Sequence, residues 1–159
     1  MNDLQDSVFQ FVGIGMPAAS ARGVTCSFKP IAGKVIEMLD GTDLDVSRAG
    51  SRKFIFNVRG SDVWVPPFVG LWEGALFTVD LPCLFVEPIA LVQQRAAVPG
   101  SLFYIDADHS AVVAEGAAAF RCYNPRSVCH VRPWTVEDDP DGAIASWSIE
   151  LRERNVAGT

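Results

Sequence analysis

Ala145-Ser146-Trp147-Ser148-Ile149-Glu150-Leu151-Arg152 alternates without a break: Ala145, Trp147, Ile149 and Leu151 fall on one side, and Ser146, Ser148, Glu150 and Arg152 on the other. A side-chain period of two is that of a β-strand, and apolar-in, polar-out alternation is that of an antiparallel strand with one solvated face. Trp147 sits mid-strand on the apolar side and is the expected core anchor. Just upstream, Pro140-Asp141-Gly142 supplies turn chemistry, and before it Val128–Val136 reads as a long strand.

The same signals recur toward the N-terminus. Val24, Cys26 and Phe28 alternate with Thr25, Ser27 and Lys29. Lys34–Leu39 and Leu44–Ser47 flank Asp40-Gly41-Thr42-Asp43, the pattern of a hairpin with a tight Asp-Gly turn. Arg52–Val58 reads as a strand centred on Phe54 and Phe56 and ended by Arg59-Gly60-Ser61-Asp62. Ala75–Leu81, Cys83–Glu87 and Leu102–Ile105 are further strands. Ala111–Glu115 and Ala118–Tyr123 flank Gly116 as another hairpin, with a helical turn as the alternative for the Ala run. About ten short strands punctuated by turns predict an all-β fold, an antiparallel β-sandwich or barrel with little helix. Gln5–Val12 or Val92–Ala97 is the place for a helical turn. The expected organisation is an N-terminal arm over 1–20, a single β domain over 21–153 and a C-terminal tail over 154–159.

Composition bounds the function classes. The chain has 159 residues, enough for one core without disulfides or metal. Its 49% hydrophobic and 20% charged content lies on the apolar side for a monomer. Nineteen acidic against thirteen basic residues give a net charge of −6, which leaves no basic excess for a phosphate-binding surface and argues against a nucleic-acid partner. Arg22, Arg48, Arg52, Lys53 and Arg59 form a modest basic cluster, read as a solvated face. The stretch Val63–Val92 is apolar but contains Glu73, Asp80, Glu87 and several prolines, so no membrane span is expected. Met1–Asp6 is polar and acidic, unlike a secretory signal, and the expected site of synthesis is a cytoplasm.

No constellation points to catalysis, and the chain is expected not to be an enzyme and to carry no cofactor. Cys26, Cys83, Cys122 and Cys129 lack a C-x-x-C pair and are expected to be reduced, buried thiols. Cys122, Cys129 and His130 are the sharper zinc alternative, without the close ligand pairs such sites use. Asp106, Asp108 and His109 admit a metal or acid/base reading, against which stands a solvated hairpin turn. Glu137-Asp138-Asp139-Pro140-Asp141-Gly142 concentrates carboxylates, but not in calcium-loop spacing, and reads as an exposed acidic turn. Gly13-Ile14-Gly15-Met16-Pro17 lacks the third glycine and the helix of a dinucleotide loop.

The aromatic residues carry more information. Most fit strand positions, but Val63-Trp64-Val65-Pro66-Pro67-Phe68-Val69-Gly70-Leu71-Trp72-Glu73-Gly74 places Trp64, Phe68 and Trp72 in a Pro/Gly-rich connection. It reads as a strand end, a rigid Pro-Pro turn and an aromatic link to the strand that follows. Connections run over surfaces, so Trp64, Pro66, Pro67, Phe68, Leu71 and Trp72 are the candidate interface; the alternative is a flap folded on its own core.

Ala21-Arg22-Gly23-Val24-Thr25, the Asp-Gly hairpin with its Asp-Val-Ser, Arg52-Lys53-Phe54, Val65-Pro66-Pro67-Phe68, Gly70-Leu71-Trp72-Glu73-Gly74, Thr78-Val79-Asp80, Asn124-Pro125-Arg126 and Ala145–Leu151 occur in order over about residues 20–152. Together they resemble small structural proteins of tailed bacteriophages, in particular tail or tail-tip components. The resemblance implies a virion part, assembled in the host bacterial cytoplasm as a homo-oligomer with other virion structural proteins. It brings no catalytic residues. The alternative is a small β-sandwich that binds a carbohydrate or other ligand, as a receptor-recognition module does.

Overall fold

A computed structural model describes residues 8–17, 20–31, 35–45 and 53–154. Their elements are β1 (Gln10–Phe11), β2 (Thr25–Ile31), β3 (Val35–Glu37), β4 (Asp43–Asp45), β5 (Lys53–Asp62), β6 (Leu76–Asp80), β7 (Phe85–Pro88), β8 (Ala96–Ala97), β9 (Phe103–Ile105), β10 (Ala111–Val112), β11 (Phe120–Tyr123), β12 (Pro125–Asp139) and β13 (Ile144–Glu153). One 3-10 turn spans Glu115–Ala117, and the described residues hold no α-helix. The fold is all-β and antiparallel throughout, a sandwich-like arrangement.

A seven-stranded sheet runs β1-β6-β12-β13-β5-β2, with β8 paired to β12; a four-stranded sheet runs β10-β9-β11-β7; β3 and β4 form a separate hairpin. The alternation in β13 does what it predicts: Ala145, Trp147, Ile149, Leu151 and also Glu153 are buried, and Ser146 and Arg152 are exposed. The inner face of the large sheet is covered in two halves. Over one half lies the small sheet, whose Phe85 meets Phe28 at 5.0 Å, Phe54 at 5.4 Å and Tyr123 at 6.0 Å between ring centroids. Over the other lie Phe9, Phe11 and Phe68, with Phe9 stacked on Trp147 at 5.5 Å. The segment set apart as an arm over 1–20 therefore contributes two fully buried aromatics and a strand to the β domain.

Several elements depart from their sequence reading. β5 does not stop at Arg59-Gly60-Ser61-Asp62 but runs through it, pairing with Ser148, Trp147, Ser146 and Ala145. Gly60 is there because the Trp147 indole lies flat over its backbone; a Cβ would collide with ring atoms Cζ2, Cε2 and Nε1. Val63-Trp64-Val65 is consequently not a strand. Ala111–Glu115 and Ala118–Tyr123 do not pair: β10 pairs with β9, and β11 lies between β9 and β7. Neither helical alternative forms among the described residues, since Gln10–Phe11 and Ala96–Ala97 are strand, recruited by open edges at β6 and β12, while residues 5–7 of the first lie outside the described residues. β12 is longer than expected and carries a bulge between Val131 and Trp134, across Arg132-Pro133, where proline has no N–H for the ladder. The bulge shifts the parity, so that Cys129 and Val131 face the core before it and Trp134 and Val136 pack against the core after it.

Candidate interface surfaces

The connection from β5 to β6 splits the six candidate interface residues into two groups. Pro66-Pro67 fixes the backbone path, and tight turns follow in which Phe68 N–H donates to Pro66 O (2.8 Å) and Leu71 N–H to Phe68 O (2.8 Å). These turns point Phe68 and Leu71 inward. Phe68 is 0% exposed, wedged between Trp147 at 5.3 Å, Trp134 at 5.8 Å and Phe11 at 6.1 Å. The carbonyl of Leu71 accepts from Trp134 Nε1 at 2.8 Å. Pro66 is buried and Pro67 half-buried. For Phe68, Leu71 and Pro66 the interface reading is therefore corrected: they are the pins of a flap that, with Phe9 and Phe11, covers the inner face of β12 and β13 beyond the small sheet. Trp64 and Trp72 remain outside at 63% and 78% exposure, with Val69 between them also exposed.

A second apolar surface escaped the sequence reading. In the small sheet Phe85 and Tyr123 are register partners that face the core. On the opposite parity Val86 pairs with Cys122 and Cys122 with Phe103, while Phe120 pairs with Ile105. Leu84 and Val113 extend this row, and no charged side chain lies on it. Val86 is 52% and Phe103 45% exposed, so no second layer of described residues covers them. Cys122 is closed off between these neighbours, and burial pushes its thiol up. The signal was present in Leu84-Phe85-Val86, where both parities are apolar, as in a strand covered on both faces.

The candidate chemical residues resolve into turns and separate faces. Asp106 accepts the backbone N–H of Asp108 (2.9 Å) and of Ser110 (2.8 Å), and His109 adopts a φ of 64°, so this group is an Asx-capped turn. Asp139 similarly accepts from Gly142 N–H (3.0 Å) at the tip joining β12 to β13. The zinc alternative is disassembled by the topology. Cys122 lies on the outer face of the small sheet, Cys129 in the core, and His130 on the outer face of the large sheet, with Nδ1 3.1 Å from Gly74 O. Among the described residues no group of three or more His, Cys, Asp or Glu is placed to hold a metal ion. The neighbouring Cys26 thiol, together with burial, pushes Cys83 far above its ordinary value. Burial raises Cys129 to about 12.

Two ion pairs that hold buried carboxylates were not legible in the sequence. Arg95 Nε donates to Glu153 Oε1 at 2.7 Å, and Glu153 also accepts from Phe54 N–H (2.9 Å) and Ser127 Oγ (3.0 Å). The Arg95 guanidinium sits 4.6 Å over the Phe54 ring. Asp80, fully buried, accepts from Arg126 (2.5 Å and 2.9 Å) and from Gln10 (2.9 Å). Burial pushes the Asp80 carboxyl up, but these donors outweigh it and leave it below its ordinary value. Both networks tie loops or the N-terminal strand to the large sheet, and every residue in them is occupied structurally.

No helix among the described residues is long and apolar enough to cross a membrane. Comparison of the chain with protein-family models, with curated proteins and with solved structures gave no match.

Proposed function

We propose that this chain is a structural component of a tailed-phage virion, a tail or tail-tip protein that acts by oligomeric assembly and performs no turnover. The observation that carries the reading is the open, uncharged outer face of the four-stranded sheet around Val86, Cys122 and Phe103. The outer face is apolar over Val86, Cys122 and Phe103 where the inner face carries Phe85 and Tyr123, the pattern of strands covered on both sides, and contiguous exposed apolar patches mark association sites. The exposed Trp64 and Trp72 add large, rigid contact area on a proline-stiffened path. Its partners are then copies of itself and other virion structural proteins.

The test is sedimentation velocity of the purified chain over a range of concentrations. The parent is expected to self-associate, and a Val86→Asp/Phe103→Asp variant to lose association at this face while keeping its circular dichroism spectrum. A parent that stays monomeric at every concentration, and that is missing from purified phage particles by mass spectrometry, overturns the reading. Trp64 and Trp72 favour the second reading, a ligand- or carbohydrate-binding recognition module. That reading expects saturable quenching of tryptophan fluorescence by oligosaccharides, abolished by Trp72→Ala.

A further inference from the structure

Two of the four thiols meet at the seam between the sheets. Cys26 lies on β2, the outermost strand of the large sheet among the described residues, and pairs with the fully buried Val58. Phe28 pairs with the fully buried Phe56, so Cys26 and Phe28 share the side of β2 that turns to the small sheet. Across the seam, Cys83 stands just before Phe85 in the connection from β6 to β7. The Phe28 and Phe85 rings meet at 5.0 Å, and the same short step back along each chain brings Cys26 beside Cys83. Both sulfurs pack into one apolar cluster. Both backbones are held as well: β2 by its ladder with β5, and the connection by Asn124 Nδ2, which donates to Cys83 O at 3.0 Å.

The two thiols are unlike. Cys26 is half-buried, whereas Cys83 is 6% exposed. The Cys83 thiol holds Cys26 below its ordinary value against the opposing effect of burial, and the Cys83 N–H adds to the lowering. Cys83 is pushed the other way. Oxidation begins at a thiol that is accessible and ionises readily, and it ends in a disulfide where a second thiol stands beside the first. Cys122 and Cys129 lack that combination. Both are buried, Cys122 faces away from the seam on the outer side of the small sheet, and burial raises the thiols of both.

We propose that Cys26 and Cys83 are a redox pair that closes to an intrachain disulfide when the chain meets hydrogen peroxide or a related hydroperoxide. The Cys26 thiolate attacks one peroxide oxygen. An S–O bond forms, the O–O bond breaks, and the departing oxygen takes up a proton and leaves as water. The Cys83 sulfur then attacks the Cys26 sulfur, so that the S–S bond forms and the S–O bond breaks. The hydroxyl leaves as a second water with the Cys83 proton. Together the sulfurs lose two electrons, and the peroxide is reduced to water. The bond ties the outermost strand of the large sheet to the connection that leads into the small sheet, and so latches one layer to the other. A cross-link between residues this far apart in the chain restricts the unfolded state and stabilises the folded one. The latch needs no second molecule of protein and stands apart from the assembly surfaces.

The full chain tests it when reduced, freed of reductant, exposed to hydrogen peroxide, then denatured and alkylated with iodoacetamide for intact mass. The reduced parent carries one label on each of its four cysteines. The oxidised parent is expected to lose two labels, to run as a single chain on a denaturing gel without reductant, and to recover every label with dithiothreitol. A peptide map is expected to join Cys26 to Cys83, and the urea midpoint of the oxidised form to lie above that of the reduced form. In Cys83→Ser, dimedone is expected to capture Cys26 as the sulfenic acid. In Cys26→Ser, Cys83 is expected to remain a thiol over the same exposure. A peroxide-treated parent that keeps every label overturns the proposal, as does a bond that maps to Cys122 or Cys129 or that joins two chains. Dimedone on a different cysteine overturns Cys26 as the point of attack. A bond that forms between Cys26 and Cys83 but lowers the urea midpoint overturns the latch. The parent alone supplies the decisive counts, so a variant that fails to fold leaves the test intact.

Discussion

Trp147 shows how one side chain organises its surroundings. Its indole lies on Gly60, stacks on Phe9, meets Phe68 edge-on and donates from Nε1 to Ser20 O at 2.9 Å. Trp147→Ala is expected to destabilise by about 3–5 kcal/mol in urea unfolding, the range for truncating a buried large aromatic. Gly60→Ala is expected to cost about 1–3 kcal/mol, because the added methyl overpacks the same contact. In the connection that follows, alternation gives no guide, and neighbours of similar chemistry meet opposite fates. Phe68→Ser is expected to cost about 3 kcal/mol or more, whereas Trp72→Ser should stay within about 0.5 kcal/mol of the parent. Equal losses at both positions would show that the flap does not distinguish them.

At the scale of elements, β12 and β13 form the spine, and what attaches to them decides the rest. The bulge at Arg132-Pro133 turns Trp134 toward the aromatic half of the core, where its Nε1 holds the Leu71 carbonyl. Pro133 in a run otherwise read as an unbroken strand was the signal for it. The segment before β8 is held by Arg95, whose partner Glu153 closes β13. Arg95→Ala leaves Glu153 buried without its counter-charge and is expected to cost about 3–5 kcal/mol by urea unfolding, despite lying in a loop. A cost within the range of ordinary surface changes would mean that Glu153 is satisfied by Phe54 N–H and Ser127 alone.

For the whole molecule, the carboxylates set an acid limit. The Arg22 side chain, bonded to Asp62 at 2.8 Å, holds the Asp62 carboxyl down at about 2 against an ordinary 3.8. Asp80 is depressed in the same direction once Arg126 and Gln10 have outweighed its burial. Because the folded values lie below the unfolded ones, the unfolded chain takes up these protons first as pH falls. Their stabilisation is complete above the ordinary carboxylate range and is lost as pH drops from about 4 toward 2. The urea midpoint should fall over that window, and Asp62→Asn should flatten part of the decline; a parent with unchanged midpoint down to pH 2 would contradict it.

What the sequence determined by itself was the all-β class, the antiparallel character, the burial of Trp147 and the Asp-Gly hairpin. These rest on alternation and turn chemistry, which are written within a few neighbouring residues. Only the tertiary structure decided that Phe68 turns in while Trp72 turns out, that β10 joins β9, and that the cluster of Arg22, Lys53 and Arg59 is divided, with Arg22 bound to Asp62; Arg48 and Arg52 lie outside the described residues. It also gathered Lys29, Lys53 and Arg152 into one surface and left the Val86 face open. The physical reason is that periodicity states which residues share a face of a strand, but not which strand lies beside it. Nor does it state which of two apolar faces a second layer will cover. Those choices are made by contacts between residues far apart in the chain, such as Phe9 on Trp147 and Arg95 with Glu153.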